Sequence, residues 1–356
     1  MCATDACDAV SRLPKQETAP ATGGVDLHVF PNVSNRLAYH LQLFLPLGLS
    51  TYLSEHAGRF DVAHLHACRN IPGAIAAHHL RRAGVPYLLA PNGTAPRIER
   101  RLLAKRVFDL VMGQRILTRA ARVLAVSNAE CAQLRTLGVD AASIRVVPNP
   151  VDLDEFRAPL PKGRFRARVG FADSTRVVMF LGKLTPRKRV DVLVRAFASL
   201  DLPPNTDVRL VIAGNDMGAG AAIRSLIHDS NLEARTTFTG LLRGQDRLDA
   251  LADADVVVYP SQDEAFGLVP LEALLAGTPV VVADDSGCGE IIRQVGGGEV
   301  VAAGDAGALA RAIARTLQSS SPQHIAAAAD RIRTLFGDDV VCQQVEAVYR
   351  EMVTRS

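Results

Sequence analysis

Short apolar runs rich in β-branched residues alternate along the chain with segments of helical periodicity. This alternation is typical of βαβ units that build a parallel sheet. We therefore predict an α/β protein. The predicted strands cover 25–30, 60–66, 86–90, 122–126, 143–148, 176–182, 207–214, 236–240, 255–259, 278–283 and 297–302.

Helices are predicted in the intervals between these strands and after the last one. The helix predicted after Gly267 has clear ends: Pro270 falls in its first turn, where no intrahelical N–H bond is lost, and Gly277 follows its last turn, where a left-handed residue closes a helix. The best-marked helices cover 190–200, 268–277, 306–318 and 340–353.

The length of 356 residues suits two domains rather than one. The segment 151–175 is rich in Pro, Gly and charge and is predicted to be a linker. Each half is then a doubly wound sheet, in which ligands bind beyond the carboxyl ends of the strands, and the natural site is a cleft between the two domains. We predict domains over 1–157 and 158–335, with a C-terminal helix in 336–356 that packs back toward the first domain.

Composition is that of an ordinary globular protein, with 48% hydrophobic and 22% charged residues and a net charge of +3. This charge is too small to indicate a nucleic-acid partner. The longest apolar run, 41–53, is interrupted by Pro46 and Gly48, so no membrane span is predicted. The first residues lack the pattern of a secretion signal, and the six cysteines show no CxxC spacing. We therefore predict a cytoplasmic protein with free thiols.

Two segments at strand ends have the chemistry to bind a phosphate. Phe266, Gly267 and Leu268 form a strand-to-helix turn, which offers backbone N–H donors and the positive end of a helix dipole. By itself, Gly267 is more simply explained as a turn residue. Lys183 and Lys188 follow the strand 176–182 and would lie at the same edge of the same sheet. That shared position favours a pyrophosphate site over a solvated basic loop.

Two carboxylates border the same predicted pocket. Glu264 lies in the loop before Gly267, and Glu272 lies about one turn into the following helix. Neither favours a phosphate, but both can accept hydrogen bonds from hydroxyl groups, as an acidic residue does for ribose in dinucleotide sites. Because the helix is otherwise apolar, Glu272 is not expected on a solvated face.

These segments together resemble the retaining nucleotide-sugar glycosyltransferases of family 4, also called group 1. EAFGLVPLE (264–272) matches their glutamate–seven–glutamate motif, and GKLTPRKR (182–189) is similar to their phosphate-binding loop, with Lys183 in place of the usual Arg. VVPNPVDLDEF (146–156) resembles their domain-junction segment, with Pro150 in place of Gly. The resemblance runs from about residue 25 to the C-terminus.

The resemblance implies a GT-B fold, in which two Rossmann-like domains face a cleft. It implies a hexosyltransferase that moves a hexose from a nucleotide diphosphate sugar to an acceptor hydroxyl with retention, in polysaccharide or glycolipid biosynthesis. Lys183 and Lys188 would neutralise the diphosphate and the leaving group, Glu264 would bind the transferred sugar, and Glu272 the ribose. Neither a cofactor nor a metal is implied, since lysines and a helix dipole can stabilise the leaving diphosphate. The other implied donor-binding residues are Phe266, Gly267, Leu268, Gly182, Gly214, Asn215, Gly240, Leu241 and Asn92.

The chain departs from the family pattern in two places. Asn92-Gly93 stands where the family usually has His-Gly, and an amide cannot carry a proton as histidine can. The family's first strand and glycine-rich loop also have no counterpart, because Gly23-Gly24 resembles a turn. We interpret this as an upstream natural start or a truncated copy. An inactive nucleotide-sugar-binding remnant therefore stays an alternative, and a nucleotide-sugar epimerase is a further one.

Positive charge is concentrated between residues 97 and 122, where eight Lys and Arg residues are opposed only by Glu99 and Asp109. Two interpretations stay open. The segment is a solvated arginine-rich helix, or it contacts anionic lipid head groups. The second would place the protein peripherally at the cytosolic membrane face and would suit a lipid-linked acceptor.

Two further patterns suggest metal ligands but are better explained by structure. Asp253-Ala254-Asp255 is formally a DxD sequence, yet it falls where a helix ends and a strand begins. His64 and His66 alternate on a predicted strand, and no third ligand is evident, so hydrogen bonding is the expected role. The pair His78-His79 falls in a predicted helix and is interpreted in the same way.

Overall fold

The computed structural model describes residues 1–6, 12, 24–41, 43–96, 102–285 and 287–353. The chain divides into two compact units. The first contains Met1–Ala125, Cys131–Val146 and Glu346–Ser356, and the second contains Val126–Glu130 and Val147–Val345.

The described strands of the first unit form two parallel sheets, one with strand order β1-β2 and one with order β3-β4-β5-β6. A single doubly wound sheet was predicted for this half, but hydrogen bonds do not join β1 to β3 in the described residues. The β1 strand was not among the predicted strands. The strands are β1 (Cys2–Thr4), β2 (His28–Phe30), β3 (Ala63–His66), β4 (Tyr87–Ala90), β5 (Arg122–Ala125) and β6 (Ile144–Val146).

Helices of the first unit surround a core in which Leu89 and Val123 of the larger sheet are almost completely buried. A π-helical turn, Asp109–Gly113, separates α4 from α5. The α6 helix begins in the short stretch that belongs to the second unit. The helices are α1 (Asn35–Leu41), α2 (Leu49–His56), α3 (Ile71–Arg82), α4 (Leu102–Phe108), α5 (Gln114–Thr118) and α6 (Asn128–Thr136).

The second unit contains one parallel six-stranded sheet with the order β12-β11-β10-β7-β8-β9. Chain order runs outward in both directions from the neighbouring pair β7 and β10, so the sheet has a topological switch point there. In doubly wound sheets, ligands bind at the carboxyl ends of the strands beside that point. The strands are β7 (Arg176–Leu181), β8 (Val208–Ala213), β9 (Thr236–Gly240), β10 (Val256–Tyr259), β11 (Val280–Asp284) and β12 (Gly298–Ala302).

Central strands of this sheet are buried on both faces, because helices cover each side. Val177–Phe180 of β7 and Val256–Val258 of β10 are fully buried, which explains why they are continuous apolar runs rather than alternating ones. Gly277, with φ of 83°, closes α11 in the left-handed conformation that the sequence predicts. The helices are α7 (Arg164–Val169), α8 (Val190–Ala198), α9 (Gly220–Asp229), α10 (Gly244–Asp253), α11 (Leu268–Leu275), α12 (Gly287–Val295), α13 (Ala306–Ser319), α14 (Pro322–Phe336) and α15 (Asp338–Val353).

The segment 151–175 is not the linker that its composition predicts, because it packs into the second unit. Phe156 and Phe165 are only 4% and 1% exposed. The carboxylate of Asp253 also accepts hydrogen bonds from three backbone N–H groups around the start of α7. Two buried aromatic rings therefore outweigh the flexible character of the surrounding Pro and Gly residues.

The C-terminal end of α15 belongs to the first unit. The Tyr349 hydroxyl is hydrogen-bonded to His64 Nδ1 of β3 at 2.7 Å. The Glu351 carboxylate accepts hydrogen bonds from Arg122 of β5 and Arg145 of β6, each with a shortest distance of 2.6 Å. This helix end is therefore fastened to three neighbouring strands.

Candidate active site

The switch point of the six-stranded sheet brings two predicted site residues into contact. Lys188 lies in the loop after β7, and Glu264 lies in the loop after β10. Lys188 Nζ and Glu264 Oε2 are 2.5 Å apart, and the two side chains are 14% and 16% exposed. A cation and an anion are therefore held side by side at the strand ends where ligands of such sheets bind.

Tyr259, the last residue of β10, completes this contact and was not among the predicted site residues. Its hydroxyl accepts a hydrogen bond from Lys188 Nζ, which also lies 4.5 Å from the centre of the tyrosine ring. Burial and the Glu264 carboxylate both raise the pKa of Tyr259 well above its ordinary value. The phenol therefore stays neutral and can orient the lysine without competing for its charge.

The second predicted carboxylate, Glu272, is paired with an arginine that the sequence did not indicate. Glu272 Oε2 lies 2.5 Å from Arg247 NH1, and the two side chains are 19% and 16% exposed. Arg247 also donates a hydrogen bond to Glu155. Burial raises the pKa of Glu272, while the Arg247 guanidinium opposes this rise. The expectation that Glu272 is not a solvated helix residue is confirmed.

Three predicted glycines lie together at neighbouring strand ends. Gly182 follows β7 and donates its N–H to the carbonyl of Ala213, while Gly214 follows β8 and donates to the carbonyl of Gly240. A Cβ at Gly214 would lie 1.8 Å from the carbonyl oxygen of Gly182. These glycines therefore allow the backbones to meet at the edge of the sheet. Asn215 continues the same edge, since its carbonyl accepts from Leu184 N at 2.9 Å.

The turn before α11 has the conformation that the sequence predicts. Gly267 is left-handed with φ of 84°, and a Cβ there would lie 2.7 Å from the sulfur of Cys288. Phe266 is buried against Phe336, while Leu268 is 40% exposed. Packing and conformation are thus sufficient reasons for Gly267, and its role in binding an anion stays a prediction.

The remaining predicted site residues are more exposed or belong to the other unit. Lys183 is exposed in the loop after β7, and Leu241 is 51% exposed after β9. Asn92 belongs to the first unit, where it follows β4 with a left-handed φ of 49°. Their roles in donor binding stay predictions.

Both apparent metal patterns have structural partners. Asp253 caps α7 as described above, and Asp255 pairs with Arg166 and Arg176, which confirms the structural interpretation of the DxD sequence. The imidazole of His64 is occupied by Tyr349. Within the described ranges, groups of three or more His, Cys, Asp or Glu residues arranged to hold a metal ion do not occur.

The described helices were also examined for length and apolar character. Among them, none is long and apolar enough to cross a membrane.

Comparison with known proteins gives two family matches that together cover most of the chain. Residues 161–332 match the model described as glycosyl transferases group 1, and residues 6–150 match the glycosyl transferase 4-like domain. The D-inositol 3-phosphate glycosyltransferase of Streptomyces griseus is 30% identical over 85% of this chain and 69% of its own length. A similar enzyme of Catenulispora acidiphila is 32% identical over 76% of this chain and 66% of its own.

Solved structures show the same fold at lower sequence identity. Sucrose-phosphate synthase from Thermosynechococcus elongatus aligns with a TM-score of 0.78 and 23% identity, over 99% of this chain and 89% of that one. Anabaena HepE in complex with UDP and glucose aligns with a TM-score of 0.73 and 22% identity, over 92% and 87% of the two chains.

Parallel α/β sheets with charged groups at a switch point, together with these structural neighbours, define the class of GT-B glycosyltransferases. Within that class, the chain belongs to the group 1 glycosyltransferases, also called family 4. The resemblance stated from the sequence motifs is confirmed, and with it the prediction that the protein is a glycosyltransferase enzyme.

Proposed function

We propose that this enzyme transfers a hexose from a nucleoside diphosphate sugar to an acceptor hydroxyl with retention of anomeric configuration. The observation that carries the proposal is the contact between Lys188 and Glu264 at the switch point, with Glu272 in the helix that follows. The cation supplies what a diphosphate needs, and the carboxylates supply acceptors for sugar and ribose hydroxyls. The comparison structures of HepE contain UDP, glucose and UDP-glucose, which supports the choice of donor.

In this mechanism the donor diphosphate takes over Lys188 from Glu264. The released carboxylate then accepts hydrogen bonds from the transferred sugar, while Lys188 stabilises negative charge on the leaving diphosphate. The bond between the anomeric carbon and the phosphate oxygen breaks as the acceptor oxygen attacks on the same face. The acceptor proton passes to the departing phosphate oxygen, so the reaction needs neither a cofactor nor a metal.

Nucleotide binding provides the first test. The protein is screened by thermal shift against UDP, GDP, ADP and their sugar conjugates, because a ligand well above its Kd raises the melting temperature. One base is expected to give a shift. Lys188→Ala and Glu272→Gln are each expected to weaken that ligand about 10- to 100-fold, because each removes hydrogen bonds that involve a charged group.

Lys162→Ala is the matched control, since Lys162 is an exposed lysine of the same unit. It is expected to bind like the native protein. A cooperatively melting protein that responds to no nucleotide contradicts the donor site. Binding without nucleotide release in the presence of acceptors identifies the inactive remnant, and a change of the donor sugar without an acceptor identifies an epimerase.

An exposed apolar stripe supports peripheral contact with a membrane. Leu103, Val107, Leu110 and Val111 expose 75%, 55%, 85% and 58% of their surfaces. Their spacing places them on one side of a helix. The neighbouring Arg106, Arg115 and Arg119 are exposed as well. Residues 97–101 of the predicted basic segment lie outside the described residues.

Large apolar side chains beside arginines are the pattern of a helix that lies in the interface of an anionic bilayer. Such a contact would bring the enzyme to a lipid-linked acceptor at the cytosolic face, in polysaccharide or glycolipid assembly. The apolar side chains would enter the head-group region, and the arginines would attract acidic lipids.

Vesicle sedimentation tests this contact. The native protein is expected to sediment with vesicles of phosphatidylglycerol and phosphatidylcholine, less so at high salt, and the double variant Leu103→Ser/Leu110→Ser is expected to stay in solution. Leu47→Ser is the control, because Leu47 is 56% exposed elsewhere in the first unit. A native protein that ignores anionic vesicles contradicts the membrane contact.

A further inference from the structure

Arg247 is a mostly buried cation that joins two parts of the second unit. It lies on α10, and its guanidinium contacts Glu272 of α11 and Glu155 of the short helical turn Asp154–Phe156. Its side chain is 16% exposed, against 33% for Glu155 and 19% for Glu272. A charge this far from water needs compensation, and two carboxylates on different elements supply it.

We propose that Arg247 is a positioning residue of the donor site, which keeps the Glu272 carboxylate ionised and oriented toward the ribose hydroxyls, while Glu155 fixes Arg247. This inference rests on the proposed function, because it assumes that Glu272 binds ribose. Arg247 itself does not contact the donor and acts through Glu272.

The geometry of the guanidinium suits this role. Arginine presents its donors in a rigid planar fork, so one group can bind two carboxylates and still define the direction of each. With Oε2 of Glu272 held by Arg247, the other carboxylate oxygen is the acceptor available to a ribose hydroxyl. A lysine would supply the charge but not the fixed direction.

Electrostatics around Glu272 make the arginine necessary. Burial, Glu155 and Asp152 all raise the pKa of Glu272, and Arg247 is the charge that lowers it. Burial acts to lower the pKa of Arg247, but the carboxylates of Glu272 and Glu155 raise it above its ordinary value. Without Arg247, Glu272 would face two like charges and would take up a proton at higher pH.

A ligand-based double-mutant cycle tests the proposal. The Kd of the nucleoside diphosphate that the native protein binds is compared with the Kd of its 2′,3′-dideoxy counterpart, in native protein and in Arg247→Met. The variant is expected to bind the ribonucleotide about 10-fold more weakly and the dideoxy nucleotide equally well, since only the former uses a hydrogen bond to a charged group. The acid limit of ribonucleotide binding should move to higher pH, because the protonated Glu272 is a poorer acceptor.

Two variants separate positioning from general stability. Arg247→Lys keeps the charge and is expected to restore the native pH dependence with only part of the affinity. Arg166→Met removes another buried arginine, which pairs with Asp255 and is 12% exposed, and it should leave discrimination between the two nucleotides unchanged. If Arg247→Met does not fold, Arg247→Lys and Glu155→Gln carry the comparison, and both should reduce discrimination.

The inference is overturned if Arg247→Met weakens both nucleotides equally or leaves both unchanged. Glu272→Gln distinguishes this failure from failure of the proposed function. If Glu272→Gln abolishes discrimination and the Arg247 variants do not, only the positioning role is wrong. If Glu272→Gln also treats the two nucleotides like the native protein does, the ribose-binding role of Glu272 is wrong.

Discussion

At the scale of single residues, the carbonyl of Gly182 leaves no room for a side chain at Gly214. The two glycines end neighbouring strands, and Gly214 also has φ of 146°, a conformation that L side chains rarely adopt. The sequence analysis placed both beside the donor because of their positions at strand ends. The structure adds a steric reason for them that is independent of any ligand.

Gly214→Ala is therefore expected to lower the free energy of unfolding by about 1–3 kcal/mol, the usual cost of overpacking a filled site. Urea unfolding measures this change. Gly307→Ala is the control, because Gly307 lies on a helix and a Cβ there would approach only side-chain ends at 3.4 Å. The control is expected to be neutral or slightly stabilised. A Gly214→Ala variant as stable as the native protein would contradict the close contact.

At the scale of elements, the end of α15 is held by charge. Arg122 and Arg145 both donate to Glu351, and these hydrogen bonds lower the pKa of that carboxyl to about 2. The folded protein thus favours the ionised form more strongly than the unfolded chain does. The resulting stabilisation is complete above the ordinary pKa of a glutamate and is lost as the pH falls toward about 2.

Glu351→Gln is expected to lower the melting temperature at pH 7, and the difference from the native protein should shrink below about pH 4.5, the ordinary value for this carboxyl. Thermal melting between pH 7 and pH 3 measures it. Glu346→Gln on the same helix is the control, because its partner Arg350 is 75% exposed and such surface pairs contribute little. Equal effects of the two variants at every pH would contradict the fastening role of Glu351.

The linker prediction failed at the same scale for a definable reason. Composition reports the average character of 151–175, whereas packing depends on two positions, Phe156 and Phe165, that fill the core. Pro and Gly in this segment shape turns between those anchors. A periodicity argument does not detect such short pieces, because α7 spans only Arg164–Val169.

At the scale of the whole molecule, the parallel strands were predictable because a buried strand must be apolar throughout. Runs such as 176–182 carry that signal locally, and β7 is found there. The three-residue strand β1 carries too few positions to give such a signal. The division of the first unit into two sheets depends on pairing between distant segments and was not visible either.

The candidate site was predictable to the same extent. Parallel strands end at one edge, so Lys188 and Glu264 were expected near each other, and they are in contact. Tyr259 and Arg247 were missed, because their roles depend on which side chains fold against them. A tyrosine at the last position of an apolar strand is a weak signal of a functional hydroxyl, whereas the helix around Arg247 gives no comparable sign.

The contact of Lys188 with Glu264 has a consequence for the ions that surround the enzyme in a cell. A free phosphate or sulfate ion meets a lysine whose charge is already balanced, and it brings no hydroxyl groups with which to compensate the displaced carboxylate. A nucleotide sugar brings both the anion and the hydroxyls in one molecule. The internal ion pair therefore acts as a filter that keeps abundant small anions from occupying the site between turnovers.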